Sequence, residues 1–250
     1  MDNLSALLTP LLTVETAIAV GVVAAAGILR GFSGFGSAMV LAPSLAALYP
    51  VKVAVPLIIL LEVALSFQLL PAAVRHVVWR EIGLLTLAAL PGLLGGALLL
   101  EVVPEATLRL TISGAIIVFL LLLFANVRRT GPVTDAGLLA TGVVSGIANG
   151  ASGVGGPPVV LYYLAGDGSA AALRATVICY FFAIDVVSAG IFAARGLVTA
   201  QVAGLTLLCI PAAVAGVWLG SLWFNRASET TYRRVAYGLI AAVALVGPFV

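Results

Sequence analysis

Long, uninterrupted apolar runs dominate this sequence and constrain its fold more than any other feature. Many of them approach the ~20 residues that a helix needs to cross a bilayer. Charged residues make up only 9% of the 250 residues, whereas a soluble domain needs about a quarter to cover its surface. The chain is therefore predicted to be an all-α, polytopic bundle of transmembrane helices.

Hydropathy and helix-breaking residues divide the chain into ten apolar segments. They cover residues 12–30, 37–49, 53–73, 82–101, 107–125, 134–149, 156–165, 172–194, 199–223 and 230–249. The second and seventh are too short to cross a bilayer as ordinary helices, and each follows a glycine cluster. The first is expected to be a retained helix, because the residues before it lack the basic region of a signal peptide.

The chain contains an internal repeat. Residues 27–36, GILRGFSGFG, align without a gap with residues 146–155, GIANGASGVG, at an offset of 119, and six of the ten positions are identical. Further along, LTLAALP at residues 85–91 matches LTLLCIP at residues 205–211, so the matches follow the same order in both copies. Convergence of apolar sequence explains the second match but not the glycine spacing of the first. We therefore predict one membrane domain made of two homologous repeats, residues 1–128 and 129–250.

Repeats in transporters are related either in parallel or by inversion, and the number of crossings per repeat decides which. Lys and Arg in short loops favour the cytoplasmic side. With five crossings per repeat, the loop arginines split seven to two: Arg75, Arg80, Arg128, Arg129, Arg226, Arg233 and Arg234 against Arg109 and Arg195. With four crossings the split is five against four. The charges favour inverted repeats with both termini outside.

The two glycine clusters are the strongest candidates for a functional site. Glycine at this density disfavours continuous helix, and non-helical backbone at membrane depth requires protein or a wet cavity to satisfy it. Each cluster therefore predicts a broken helix beside a central cavity, where helix N-termini and neutral donors suit an anion. The predicted substrate-binding residues are Arg30, Gly31, Ser33, Gly34, Gly36, Ser37, Asn149, Gly150, Ser152, Gly153, Gly155, Gly156 and Pro157. The alternative is that the glycines only allow close helix packing.

Charged residues inside apolar segments form a second group of candidates. Glu62 and Asp185 lie midway along their segments, at roughly equivalent places in the two repeats. A carboxylate at the bilayer centre is costly unless it is paired or protonated. Each is therefore a candidate for proton coupling or for a structural ion pair, with Arg30, Lys52 or Arg174 as the partner. Arg30 suits an oxyanion; alternatively, it extends to the membrane interface.

The glycine segments GFSGFGSAMVLAPSL and GIANGASGVGGPPVVLYYL resemble the two signature regions of the sulfite exporter TauE/SafE family of membrane permeases. The similarity extends over essentially the whole chain, including its length and duplicated plan. The resemblance implies transport of sulfite, sulfonates, thiosulfate or related sulfur compounds. It also implies pathway residues at Gly31, Ser33, Gly34, Gly36, Pro43, Gly150, Ser152, Gly153, Gly155, Gly156 and Pro157. Pro157 and Pro158 follow the second cluster, whereas Ser37 and Ala38 follow the first, so the two half-sites are not equivalent.

The leading hypothesis is a secondary transporter, in a bacterial inner membrane, that moves sulfite or an organosulfonate by alternating access. The alternatives are a channel-like anion conduit and a membrane subunit serving a soluble partner. An intramembrane enzyme is disfavoured, because the single His76 lies in a polar connection and no nucleophile, base or metal pattern occurs. The expected partners are the small anion, the lipid bilayer and protons; no catalytic residue, metal, cofactor or nucleic acid is expected.

Overall fold

The computed structural model describes residues 13–124, 131–166 and 169–224. Nine helices lie within these ranges: α1 (Val14–Ser33), α2 (Ser37–Leu48), α3 (Val51–Ala73), α4 (Trp79–Val102), α5 (Glu105–Phe124), α6 (Asp135–Ser152), α7 (Gly156–Leu164), α8 (Ala170–Ala194) and α9 (Ala200–Phe224). Their ends agree with the first nine predicted segments to within three residues. The predicted all-α bundle is thus confirmed, and the tenth segment, 230–249, lies outside the described residues.

Five of the helices, α1, α3, α4, α8 and α9, are long and apolar enough to span a membrane. α3 is the most buried of them, with 61% of its most apolar stretch inside the bundle, and it packs against α8. α4 and α9 instead expose large apolar side chains such as Leu87, Leu94 and Trp218. This distribution places α3 at the centre and gives α4 and α9 outward faces suited to lipid.

The predicted helix breaks lie at the glycine clusters. α1 ends at Gly34, with φ at 81°, and α2 begins after Gly36, with φ at 90°. α6 ends at Gly153, with φ at 71°, and α7 begins with proline in its first turn. Side chains disfavour such positive φ values, so glycine is what lets each helix stop there.

Each break is a hairpin in which the short helix folds back along the helix before it. In the first, Thr16 near the start of α1 shares a hydrogen bond of 3.2 Å with the hydroxyl of Tyr49 at the end of α2. In the second, the backbone N–H of Thr134, which precedes α6, donates to the hydroxyl of Tyr162 in α7 at 3.1 Å. α2 and α7 therefore return towards the end of the bundle where α1 and α6 began.

Two helix pairs approach each other to backbone contact. A Cβ on Gly96 of α4 would lie 2.6 Å from the carbonyl oxygen of Ile147 in α6, and one on Gly27 of α1 would lie 2.8 Å from that of Ala213 in α9. The helices of each pair run parallel, because their contacts advance along both helices in the same direction. Gly92 of α4 meets Gly146 and Gly96 meets Gly150; likewise, Gly27 of α1 meets Gly216 and Gly31 meets Ser221. Each pair joins one helix from each predicted repeat.

Polar contacts identify the two ends of the bundle. At one end, Lys52 at the start of α3 donates to the carbonyl of Glu101 at 2.8 Å, and the Glu101 carboxylate pairs with Arg195 after α8. α1 begins at this end, since its Thr16 contacts Tyr49 just before α3. At the opposite end, Arg80 at the start of α4 binds Asp135 at the start of α6. We call these the Glu101 end and the Asp135 end.

Candidate functional site

Arg30 forms the centre of the site in the first half. It lies in the last turn of α1 and is 1% exposed. Its Nη1 pairs with Glu62 of α3 at 2.9 Å, and its Nη2 donates to Ser66, one turn further along α3. The ring of Phe181 lies 4.8 Å from the guanidinium carbon. The Nε–H of Arg30 is buried and has no hydrogen-bond partner among the described residues.

Glu62 joins three helices at this point. While one oxygen pairs with Arg30 from α1, the other accepts a hydrogen bond from Ser37, the first residue of α2. The sequence analysis named three cations as candidate partners of Glu62, and Arg30 is the one that forms the ion pair. Lys52 instead donates to a carbonyl at the Glu101 end, and Arg174 donates to the carbonyl of Gly31 at 2.6 Å. Because Arg30 is buried, it does not extend to the membrane interface.

The second half has the same arrangement with an amide in place of the guanidinium. Asn149 of α6 stands at the position equivalent to Arg30 and donates to Asp185 of α8 at 3.0 Å and to Ser188 at 3.1 Å. Its oxygen accepts from the backbone N–H of Gly155 at 3.1 Å. Asp185 is 3% exposed. Its described hydrogen-bond donor is thus neutral, whereas Glu62 has a cation.

The start of α7 is held by a chain of hydroxyls. Tyr180 of α8 and Ser145 of α6 share a hydrogen bond of 2.8 Å, and Ser145 donates to the carbonyl of Gly155 at 2.5 Å. Together with the Asn149 contact, this satisfies both backbone polar groups of Gly155. Buried backbone groups need such partners, so α6 and α8 determine where the N-terminus of α7 lies.

A cavity lies between the two hairpins. Its lining comprises Arg30, Phe35, Gly36, Ala38, Met39, Glu62, Asn149, Gly153, Val154, Gly155, Gly156, Pro157, Phe181 and Asp185. Nine of these belong to the predicted site and coupling residues. Both helix breaks, both carboxylates, Arg30 and Asn149 thus meet at one place, although the two clusters are more than a hundred residues apart in sequence.

The other predicted site residues serve nearby structure. Gly31 and Gly150 face α9 and α4, where a Cβ would meet backbone. Ser33 and Ser152 bond to the backbone of their own helix ends, and Ser37 binds Glu62. A Cβ on Gly34 would lie 2.6 Å from the side chain of Arg174. Close helix packing, the alternative explanation for the glycines, therefore describes Gly31 and Gly150. Of the glycines at the breaks, Gly36, Gly153, Gly155 and Gly156 border the cavity, whereas Gly34 packs against Arg174.

Several contributing residues were not anticipated from the sequence, among them Ser66, Ser145, Tyr180, Phe181 and Ser188. All lie in apolar runs that look like ordinary core. Two of them had a signal, because Ser66 follows Glu62 by four residues and Ser188 follows Asp185 by three. Those spacings place each hydroxyl on the helix face of its carboxylate.

Comparison with known proteins agrees with the sequence resemblance. The family described as Sulfite exporter TauE/SafE matches residues 18–246 of this chain. A protein named probable sulfite/organosulfonate exporter TauE, from Cupriavidus necator, is 27% identical over 246 residues, which cover 95% of this chain and 93% of that protein. No solved structure gives a significant match.

Proposed function

This chain belongs to the sulfite exporter TauE/SafE family, and we propose on that basis that it carries sulfite or an organosulfonate across the membrane. Membership in a family of transporters makes it a multi-pass membrane transporter rather than an enzyme. The substrate class comes from the name of the family and of its relative in Cupriavidus necator. The bacterial inner membrane remains the expected location.

The observation that carries the proposal is the buried guanidinium of Arg30 beside the cavity. An ionisable group inside a membrane is costly and marks a functional site by default. Among the described residues, the Nε–H of Arg30 has no hydrogen-bond partner there. Planar guanidinium groups bind oxyanions through two parallel N–H donors, and Nε–H with the adjacent Nη2–H forms one such pair.

The helix breaks add neutral donors to the same cavity. Gly36 precedes α2, and Gly155 and Gly156 begin α7, so the N-terminal ends of two helices border the space next to Arg30. Helix N-termini carry free N–H groups and a partial positive charge, which favour an anion. This combination suits a small oxyanion better than a cation or an apolar solute.

For the mechanism we propose alternating access in which the parallel pairs α1–α9 and α4–α6 move as units. Their backbones touch through glycine, so separating either pair would expose packed backbone. Each pair contains one helix from each repeat, which argues against one repeat rocking rigidly on the other. α3 and α8, which carry Glu62 and Asp185, pack together between the pairs.

We also propose that the repeats are inverted. α1 begins at the Glu101 end, whereas its counterpart α6 begins at the Asp135 end, and this opposite direction supports inversion. The loop arginines are consistent with it, since Arg109 and Arg195 lie at the Glu101 end and Arg80 at the Asp135 end. In the predicted seven-to-two split of the loop arginines, Arg80 belongs to the larger group, so the positive-inside rule would make the Asp135 end cytoplasmic.

Flux through proteoliposomes tests the function. Vesicles containing the purified chain are expected to transport sulfite, sulfoacetate or thiosulfate with saturation. Arg30→Gln is expected to raise the half-saturating anion concentration by about ten- to a hundredfold, because a hydrogen bond to a charged group is worth ~1.5–3 kcal/mol. Arg30→Lys should retain part of the binding, since it keeps the charge but loses the fork.

Arg75→Gln is the matched control, because Arg75 is exposed in the connection between α3 and α4. It should leave flux unchanged. Absence of flux for all three anions would refute the substrate class, and wild-type flux in Arg30→Gln would refute the site. Fast flux that rises linearly with concentration would instead indicate a channel.

A further inference from the structure

We infer that each singly charged anion binds at Arg30 together with one proton, which Glu62 takes up. The inference rests on the proposed anion site and concerns what must happen to its charge when the site fills. It separates the roles of the two carboxylates, which the sequence left as equal candidates for proton coupling.

Within the described ranges, the charges that face the cavity are few and can be named. α1 contributes the cation Arg30, and α3 and α8 contribute Glu62 and Asp185. The lining from α2, α6 and α7, which includes Met39, Asn149 and Pro157, is uncharged. α4 also packs on α8, but its charged residues lie in its first and last turns, away from the cavity lining. α9 packs on α3 and carries no charged residue.

Before the anion binds, one of the two carboxylates is balanced. Glu62 is paired with Arg30, whereas Asp185 accepts a hydrogen bond from the neutral amide of Asn149. A buried carboxylate without a counter-charge is strongly disfavoured, so Asp185 is held as the neutral acid. Arg30, ionised Glu62 and neutral Asp185 together leave the cavity with no net charge.

Anion binding upsets this balance. A bidentate oxyanion would use Nε, which has no partner among the described residues, and Nη2, which now donates to Ser66. Glu62 can therefore keep its place on Nη1 while the anion displaces only a hydroxyl. One guanidinium would then face two negative charges at membrane depth. Protonation of Glu62 removes the excess charge without moving any helix.

The surroundings of Glu62 accommodate both of its protonation states. Ser37 donates to the ionised carboxylate through its hydroxyl. A hydroxyl can also accept a hydrogen bond, so the Ser37 hydroxyl can accept a hydrogen bond from the O–H of protonated Glu62. A backbone N–H or a lysine at this position could only donate.

Calorimetry on the purified full-length chain in detergent tests the inference. Methanesulfonate is the probe, because it stays singly charged across the working pH range. Titration in two buffers of different ionisation enthalpy should report uptake of about one proton per anion bound, and the Kd should rise up to about tenfold per pH unit where the proton must be supplied. Sulfite is titrated in parallel to confirm that the natural substrate class binds.

Two variants assign the proton. Glu62→Gln should still bind methanesulfonate, with proton uptake near zero and a Kd independent of pH. Asp185→Asn should keep uptake near one proton per anion, whatever its effect on affinity. If Glu62→Gln does not fold, two measurements still test the inference. The wild type shows whether proton uptake occurs, and Asp185→Asn shows whether Asp185 is the group that takes up the proton.

The outcomes separate this inference from the proposed function. Binding without proton uptake in the wild type would overturn the coupling and leave the anion site intact. Uptake that persists in Glu62→Gln, or that disappears in Asp185→Asn, would overturn the assignment to Glu62. If the wild type binds neither methanesulfonate nor sulfite, the proposed anion site itself fails.

Discussion

The difference between Arg30 and Asn149 sets the chemistry of the two half-sites. Both residues stand near the end of the first helix of a repeat, and both donate to a carboxylate and a hydroxyl on the third helix. The two predicted repeats thus share this geometry, but only the first has a charged residue at this position. At the proposed site an anion would meet a single guanidinium, so a symmetric site with two equal anions is not expected.

The buried ion pair between Arg30 and Glu62 allows a stability prediction. Arg30→Met should lower the free energy of unfolding by about 3–5 kcal/mol, because it leaves a buried carboxylate without its partner. Adding Glu62→Leu to that variant should recover most of the loss. Thermal unfolding of the detergent-solubilised protein, followed by tryptophan fluorescence, measures both changes.

Arg80→Met is the control for that experiment. Arg80 also forms an ion pair, with Asp135, but its side chain is 67% exposed. Exposed pairs contribute only about 0–1 kcal/mol, so this variant should unfold close to the wild-type temperature. Equal losses for Arg30→Met and Arg80→Met would show that burial does not decide the value of the pair.

At the scale of helices, glycine determines which elements can touch. Gly92 and Gly96 of α4 pack on α6, and Gly27 and Gly31 of α1 pack on α9, each at backbone contact. In a membrane the hydrophobic effect does not drive helices together, and close packing through small residues takes its place. The parallel pairs are therefore the parts of the fold that should resist separation most.

Two adjacent glycines in α4 test this packing. Gly96→Ala should destabilise the protein by about 1–3 kcal/mol, because the new methyl would lie 2.6 Å from the backbone of α6 and force the helices apart. Gly95→Ala meets nothing within 4 Å and should stabilise α4 by up to about 1 kcal/mol. Unfolding midpoints of the two variants, measured side by side, decide; a loss of stability in both would refute the packing argument.

For the molecule as a whole, the two ends of the bundle carry contacts of different kinds. Arg80 and Asp135 join α4 to α6, which already form one packed pair. Glu101 and Arg195 join α4 to the end of α8, across the boundary between a pair and the central helices. If the pairs move as units, the first contact persists through the transport cycle and the second must open.

Cross-linking distinguishes these two contacts. In a background with Cys179 and Cys209 replaced by alanine, Glu101→Cys with Arg195→Cys should lose most of its flux when joined by a short bifunctional thiosulfonate, and recover it on reduction. Arg80→Cys with Asp135→Cys, treated in the same way, should keep its flux. Loss of flux in the second pair alone would mean that α4 and α6 move apart.

Helix positions were predictable from the sequence because their causes are local. Apolar runs of bilayer length determine where helices lie, and glycine clusters determine where they stop, so nine helices within the described residues end within three residues of the predicted bounds. The repeated glycine spacing also located both sides of the cavity. Neither conclusion required knowing which helices are neighbours.

The partners of each buried group were decided by tertiary structure. The sequence offered Arg30, Lys52 and Arg174 to Glu62, and only the packing of α1 on α3 selects Arg30. Tertiary packing likewise turns Gly31 and Gly150 towards neighbouring helices and brings Phe181 to the guanidinium. Hydropathy differs little between the faces of helices such as α3 and α9, so it does not specify their rotation or neighbours. Those follow from glycine contacts and buried polar pairs across the whole bundle.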